Sequence, residues 1–175
     1  LKELIDVAHQ NGLAVILDMV YNHTMNQSPL ASLYWNSELS QPSSDNPWYN
    51  ESAPHQSVGW GNDFNHESDY TRDLFDKVNK FWLEEFNIDG FRYDFTKGLT
   101  QTYTSTDSEM SSYDQSRVDI IKRMADKVWE VKDDAYIILE HWGGETEENS
   151  LTSYGNGMLT WRKLHYTFTE ALKGE

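Results

Sequence analysis

The stretch from Asn87 to Gly98, NIDGFRYDFTKG, sets Arg92 and Asp94 two positions apart in a run that is otherwise apolar and aromatic. Side chains of an extended strand alternate, so Ile88, Gly90, Arg92 and Asp94 share one face while Phe91, Tyr93 and Phe95 share the other. The aromatic face suits packing against helices, and the charged face points into an interior. A buried ion pair rarely adds net stability, because each ion must be desolvated. A structural pair is one reading; the other is chemical. Arg92 would keep Asp94 ionised against that desolvation, and an ionised, oriented carboxylate is a nucleophile or a metal ligand.

Two further runs end in the same way. AYIILEHW places Glu140 after four apolar or aromatic residues, in period with Ile138 and Tyr136. A carboxyl in such surroundings is a candidate proton donor. LDMVYNHT ends with Asp18, Asn22 and His23. Taken singly, each residue reads as an ion-pair partner, a cap or a satisfied histidine. Three buried-type strands that all deliver such groups to one rim point to catalysis.

The elements that would position them follow from periodicity. Leu1, Leu4, Ile5 and Ala8 have helical spacing up to Asn11-Gly12, a stop signal. LAVILDMV reads as a strand apolar on both faces, as in a parallel sheet covered on both sides. From Thr24 to Glu67 periodicity disappears, and a connection this long implies an inserted subdomain or functional loop. Leu74, Val78, Phe81, Trp82 and Phe86 restore a helix before the strand from Ile88. Val118, Ile121, Ala125, Val128 and Trp129 predict another before AYIILE. GMLTW reads as a further strand and Leu164 to Leu172 as a further helix. Such alternation predicts a parallel α/β sheet, as a barrel or doubly wound. With only about four strands, two bare edges would remain, so part of a larger domain is expected.

Composition narrows the partners. The 175 residues carry 29 acidic and 14 basic side chains, a formal charge of −15, which disfavours nucleic acid and anionic membrane surfaces. No stretch approaches the roughly 20 apolar residues of a membrane span, and the first residues lack signal-peptide character. Leu1 opens inside a helical pattern without an initiator methionine, so the true start is expected to lie upstream. There is no cysteine, which excludes disulfides and thiolate chemistry.

The strand ends resemble the signature regions of the α-amylase family, glycoside hydrolase family 13. DMVYNHT is similar to its first region, GFRYDFTK to its second and ILEHW to its third, while NDFNHES resembles the short motif before the third barrel helix. The resemblance implies a (β/α)8 TIM barrel, of which this chain supplies about helix 2 through strand 6. Residues 1–23 would be a barrel segment, 24–67 a domain B insertion lining the substrate cleft, and 68–175 a second barrel segment. The rest of the barrel would come from flanking sequence. The implied activity is retaining hydrolysis of α-1,4-glucans such as starch and glycogen, in a secreted, periplasmic or cell-surface setting.

Carried residue by residue, the resemblance makes Asp94 the nucleophile, Glu140 the acid/base and Arg92 the group that orients Asp94, with the carboxyls of a retaining pair about 5 to 5.5 Å apart. His23 would bond the sugar at the cleavage point, Asp18 would support it from below, and Tyr21 belongs to the substrate-binding set. Lys97 is read as a contact to the leaving-group side of the glucan or as an exposed loop lysine. Trp142 is read as an acceptor-side stacking ring, or as packing. Trp48, Tyr49 and Trp60 are the insertion's own core or sugar platforms. Asn22 would be a calcium ligand together with a carboxylate of the insertion and the Gly98 carbonyl, although the family's usual histidine is absent at position 98. The family's third catalytic aspartate is expected beyond Glu175, so the isolated chain should hydrolyse little.

Other readings compete with a starch-cleaving amylase. Within the family they are branching, debranching, maltogenic or transglycosylating enzymes. Outside catalysis there is a carbohydrate-binding chain. A metal-dependent barrel hydrolase using His23, Asp94, Glu140 and His141 lacks two histidines at ligand spacing.

Overall fold

The computed structural model describes residues 1–25, 27–161 and 164–174, without the side chains of residues 164–167. In chain order the elements are α1 (Lys2–Gln10), β1 (Ile16–Val20), β2 (His23–Thr24), α2 (Pro29–Leu33), β3 (Trp35–Asn36), β4 (Gln41–Pro42), β5 (Asn62–Asp63), α3 (Asp69–Phe86), β6 (Gly90–Asp94), α4 (Asp107–Met110), α5 (Gln115–Trp129), β7 (Tyr136–Leu139), α6 (Glu145–Thr152), β8 (Leu159–Thr160) and α7 (Leu164–Lys173).

Four strands, in the order β1-β6-β7-β8, form one sheet whose pairings are all parallel. Parallel neighbours need crossovers, and α3 and α5 supply two of them. Leu83 of α3 and Val118, Ile121, Ala125 and Val128 of α5 are buried with Phe91, Tyr93, Ile137 and Leu139 of the strands. Helix α3 starts at Ser68, whose hydroxyl accepts from the Tyr70 N–H, and stops at Asn87 in the left-handed region, a conformation asparagine tolerates.

One glycine sets the spacing of the two strands that matter most. A Cβ on Gly90 would lie 2.1 Å from the Tyr136 carbonyl oxygen. Hydrogen alone at this position lets β6 lie in register with β7, pairing Gly90 with Tyr136 and Tyr93 with Leu139.

Strand β1 departs from the expectation of burial on both faces. It lies at one end of the sheet order and alternates between half-buried and exposed residues. The segment between β1 and α3 has its own local order. Two short antiparallel pairs, β2 with β5 and β3 with β4, close its base and its tip. Tyr49 is buried and stacks on Phe64 at 4.2 Å, and Trp48 meets Tyr34 and Tyr70 edge-on. Both rings pack within or against the insertion.

Candidate active site

The register places the reactive residues at one end of the sheet. Asp18 of β1 lies beside Arg92 of β6, and Glu140 follows directly after β7. Arg92 joins them. Its Nη1 donates to Asp18 Oδ1 and to Asp94 Oδ1, each at 2.7 Å, and its Nη2 lies 2.7 Å from Glu140 Oε1. Burial works against the charge on Arg92, but the three carboxylates hold it more firmly protonated than a free guanidinium. A planar fork suits this task, since it can serve several oxygens at once.

The two inner carboxyls differ in environment. Burial pushes the Glu140 carboxyl above the ordinary carboxylate range, and a hydrogen bond and the charge of Asp94 act in the same direction, while the Phe95 N–H and Arg92 oppose them. The Phe95 N–H donates to Glu140 Oε2 at 3.2 Å. Like charges this close favour one shared proton, and the raised carboxyl of Glu140 is its site.

His23 lies on β2, which pairs with β5 at the base of the insertion. Burial lowers its pKa, countered by the nearby charge of Asp94, so its ring is favoured in the neutral form. Its neighbour Trp60 lies at 5.9 Å between ring centres, Trp60 meets Phe95 at 4.9 Å, and Phe95 meets Trp142 at 6.4 Å. Trp60, Phe95, Trp142 and Lys97 line a cavity of about 530 Å³. The approaches converge because two residues leave the ordinary backbone regions: Phe95, at φ 44°, directly follows Asp94, and Trp142, at φ 52°, is two residues after Glu140. Bulky residues in the left-handed region cost of order 1–3 kcal/mol each and persist where the surroundings impose them.

The structure alters several sequence expectations. Strict alternation puts Phe95 on the packing face with Phe91 and Tyr93, whereas its left-handed backbone turns it to the cavity. Tyr21 does not face the substrate side: its ring is buried, stacks on Phe75 at 3.8 Å and donates its hydroxyl to Asn79 of α3 at 2.8 Å. One residue past the end of β1, it points to the helix layer. Lys97 is no exposed loop lysine; at 4% exposure its Nζ donates to Asp107 Oδ1 and Ser111 Oγ, each at 2.7 Å. Asp18 is 64% exposed by its side chain and touches the site through Arg92.

Trp161 had no role assigned from sequence, yet the Arg92 guanidinium lies 4.9 Å from its ring, a cation–π geometry. Its place directly after a short strand was the only available signal. Asp107, which holds Lys97, opens the short helix α4, a stretch with no periodic pattern, and left no signal at all.

A calcium ion would have to be held by oxygens of the residues present. Asn22 Oδ1 is buried without a hydrogen-bond partner, as a ligand oxygen would be, and Asp63 Oδ1 of the insertion is likewise without one. Asp63, however, faces His55 Nε2 at 3.4 Å. Among the described residues no group of three or more His, Asp or Glu side chains is placed to hold a metal. A hard cation would take about 6–8 oxygen ligands, amide and backbone carbonyls as well as carboxylates, and Asn22 Oδ1 would be one of them. Position 98 is glycine for a steric reason, since a Cβ there would lie 2.0 Å from Asn22 Oδ1.

The family model for the α-amylase catalytic domain matches residues 38–175. The chain belongs to the α-amylase family. That family consists of glycoside hydrolases built on the (β/α)8 barrel, and the four parallel strands are a segment of one. The match includes Arg92, Asp94 and Glu140 and begins after Asp18, Asn22 and His23. Among curated relatives, pullulanase of Bacillus subtilis is 35% identical over 101 residues, covering 54% of this chain and 12% of its own. α-Amylase 3 of Dictyoglomus thermophilum is 28% identical over 160 residues, covering 82% of this chain and 30% of its own. The chain therefore spans less than a third of the length of these relatives. Among solved structures, Amy13B of Eubacterium rectale superposes with a TM-score of 0.66 at 24% identity over 91% of this chain and 34% of its own, a likeness of fold.

Proposed function

We propose that the protein containing this chain cleaves α-1,4-glucosidic bonds of α-glucans with retention of configuration, in the manner of an α-amylase. The observation that carries this reading is the single guanidinium of Arg92 bonded to both Asp94 and Glu140, with the raised carboxyl on Glu140. Two carboxyls bound to neighbouring nitrogens of one guanidinium suit the close spacing of a retaining pair, about 5–5.5 Å, rather than the about 6.5–9.5 Å of an inverting one.

In the first step an oxygen of Asp94 attacks the anomeric carbon while the glycosidic C–O bond breaks. The departing oxygen takes the proton of Glu140. In the second step Glu140, now a carboxylate, removes a proton from water, the water oxygen bonds the anomeric carbon, and Asp94 leaves. Arg92 holds Asp94 in place for attack and stabilises it as the leaving carboxylate when the ester is broken. His23, neutral, is suited to bonding a sugar hydroxyl. Trp60, Phe95 and Trp142 offer aromatic faces to the sugars beyond the broken bond, and Lys97 retains one N–H for a hydroxyl after its bonds to Asp107 and Ser111.

A fluorinated glucosyl inhibitor that traps the covalent intermediate tests the mechanism in the intact protein. Mass spectrometry is expected to find the label on Asp94; a label elsewhere, or none despite turnover, would overturn it. A second reading, a debranching enzyme of the same family, is favoured by the likeness to the Bacillus pullulanase and to isoamylase SU1 of Zea mays, 32% identical over 104 residues. Comparing turnover of pullulan with that of amylose separates the two.

A further inference from the structure

The deepest charges in the described molecule lie behind the two turns that carry Asp94 and Glu140, and no step above uses them. Arg117 of α5 and Glu147 of α6 are exposed by 1% and 0%. They pair through both forks, Nε to Oε1 at 2.5 Å and Nη2 to Oε2 at 2.7 Å. The remaining donors of Arg117 reach the carbonyls of Lys97 at 3.1 Å, Met110 at 3.0 Å and Ser112 at 3.0 Å. All five N–H groups of the guanidinium are thereby satisfied.

Glu147 is equally engaged. It accepts the Asp114 N–H at 2.9 Å and meets His141 Nε2 at 2.8 Å. Burial acts to raise its carboxyl, but the bonds from His141 and Arg117 outweigh it and hold the group at about 2. The other ring nitrogen of His141, Nδ1, lies 3.0 Å from Thr96 Oγ1. The Thr96 N–H in turn donates to the Glu140 carbonyl at 3.0 Å.

The links close into a ring. Starting at the Lys97 carbonyl, they pass through Arg117, Glu147 and His141 to Thr96, the residue next to Lys97. One side of the ring is the turn after β6, two and three residues past Asp94; the other is the turn after β7, one residue past Glu140. A buried ion pair is commonly replaceable by apolar residues without loss of stability, so stability alone does not account for this one.

We propose that Arg117, Glu147, His141 and Thr96 are positioning residues for glycoside cleavage, fixing the turn of the nucleophile against the turn of the acid. Phe95 and Trp142, in left-handed conformations, occupy the same two turns and are held there by the same clamp. The role rests on the retaining reading given above.

Thr96→Val tests it while leaving both buried charges paired, and Thr96→Ser restores the hydroxyl. Misplacing a reacting group by about 1 Å can cost on the order of 10²-fold, so in the intact protein Thr96→Val is expected to lower kcat by about 10- to 100-fold on that scale with little change in KM. The basic limb of the pH–rate profile should move to lower pH as Glu140, faced by Arg92, Asp94 and the Phe95 N–H, becomes less rigidly enclosed. Thr96→Ser is expected to recover both properties. Glu147→Gln, where it folds, should act as Thr96→Val does. Titration with the fluorinated inhibitor counts folded sites. Wild-type kcat and pH profile in folded Thr96→Val would overturn the positioning role, as would a loss explained wholly by fewer titratable sites. Failure of the inhibitor to label wild-type Asp94 would overturn the retaining reading itself, whatever the Thr96 variants do.

Discussion

Replacing Gly90 by alanine isolates the spacing of β6 and β7 from the side chains of Arg92, Asp94 and Glu140. The new Cβ would sit 2.1 Å from the Tyr136 carbonyl oxygen, 2.7 Å from its nitrogen and 2.8 Å from its carbonyl carbon. All three are backbone atoms, so no rotamer change can relieve the overlap. An ordinary carbon contact is about 3.5–4.0 Å, which requires β6 and β7 to part locally by more than 1 Å. Overpacking of this kind costs about 1–3 kcal/mol, sometimes more, and in a domain of this size each kcal/mol lowers Tm by about 2–4 °C. The expected loss in calorimetry is therefore about 2–12 °C. Arg92 and Asp94 follow Gly90 by two and four residues, and Glu140 follows Tyr136 by four. Separation at the base is thus transmitted to the carboxyls, and a displacement near 1 Å is worth about 10²-fold in kcat. An alanine variant of the intact protein with unchanged Tm and kcat would refute the reasoning, because it would mean that the strands tolerate a methyl group where the geometry has no room.

Other outcomes follow from the same contacts. Because Glu140 must be protonated to act as acid and burial raises its pKa, kcat/KM should fall with rising pH only above the ordinary carboxylate range; a basic limb near pH 4 would contradict this. Burial raises Asp63 to about 7, so between the unfolded value near 4 and about 7 the native state holds the extra proton and stability falls as pH rises. Buried His55 and His66, lowered to about 4, act with the opposite sign, so the informative quantity is the difference between Asp63→Asn and wild type, which should grow in the variant's favour from pH 4 to 7; a flat difference would refute it. Trp142→Ala should raise KM for maltooligosaccharides by about 2- to 12-fold, the equivalent of the roughly 0.5–1.5 kcal/mol of an aromatic stacking contact, and an unchanged KM for every chain length would remove the ring from the sugar path.

Sequence by itself determined a good deal. Period-two alternation is a local property of an extended chain, so it separated Arg92 and Asp94 from Phe91 and Tyr93 without any knowledge of partners. The helical spacing of Leu74, Val78, Phe81, Trp82 and Phe86 fixed the helix before β6, and the alternation of helices with apolar runs fixed a parallel sheet. Strand ends in a parallel sheet all face one rim, and for that reason Asp18, Arg92, Asp94 and Glu140 were legible as a group before their distances were known.

Only the tertiary structure decided the rest. Phe95 turns to the cavity because a left-handed residue breaks the alternation directly after Asp94, and periodicity has no means of registering a single such residue. Tyr21 was drawn into the site by its motif, but its direction is set by Phe75 and Asn79 of a helix more than fifty positions on. Lys97 is held by the carboxylate of Asp107, ten residues away at the start of α4. Arg117 and Glu147, thirty residues apart, each look like an exposed helical charge until α5 and α6 are packed behind the turns that follow β6 and β7. Local sequence encodes which face a side chain takes within its own element; which partner waits on that face depends on how separate elements pack, and that is settled by the buried surface of the whole fold.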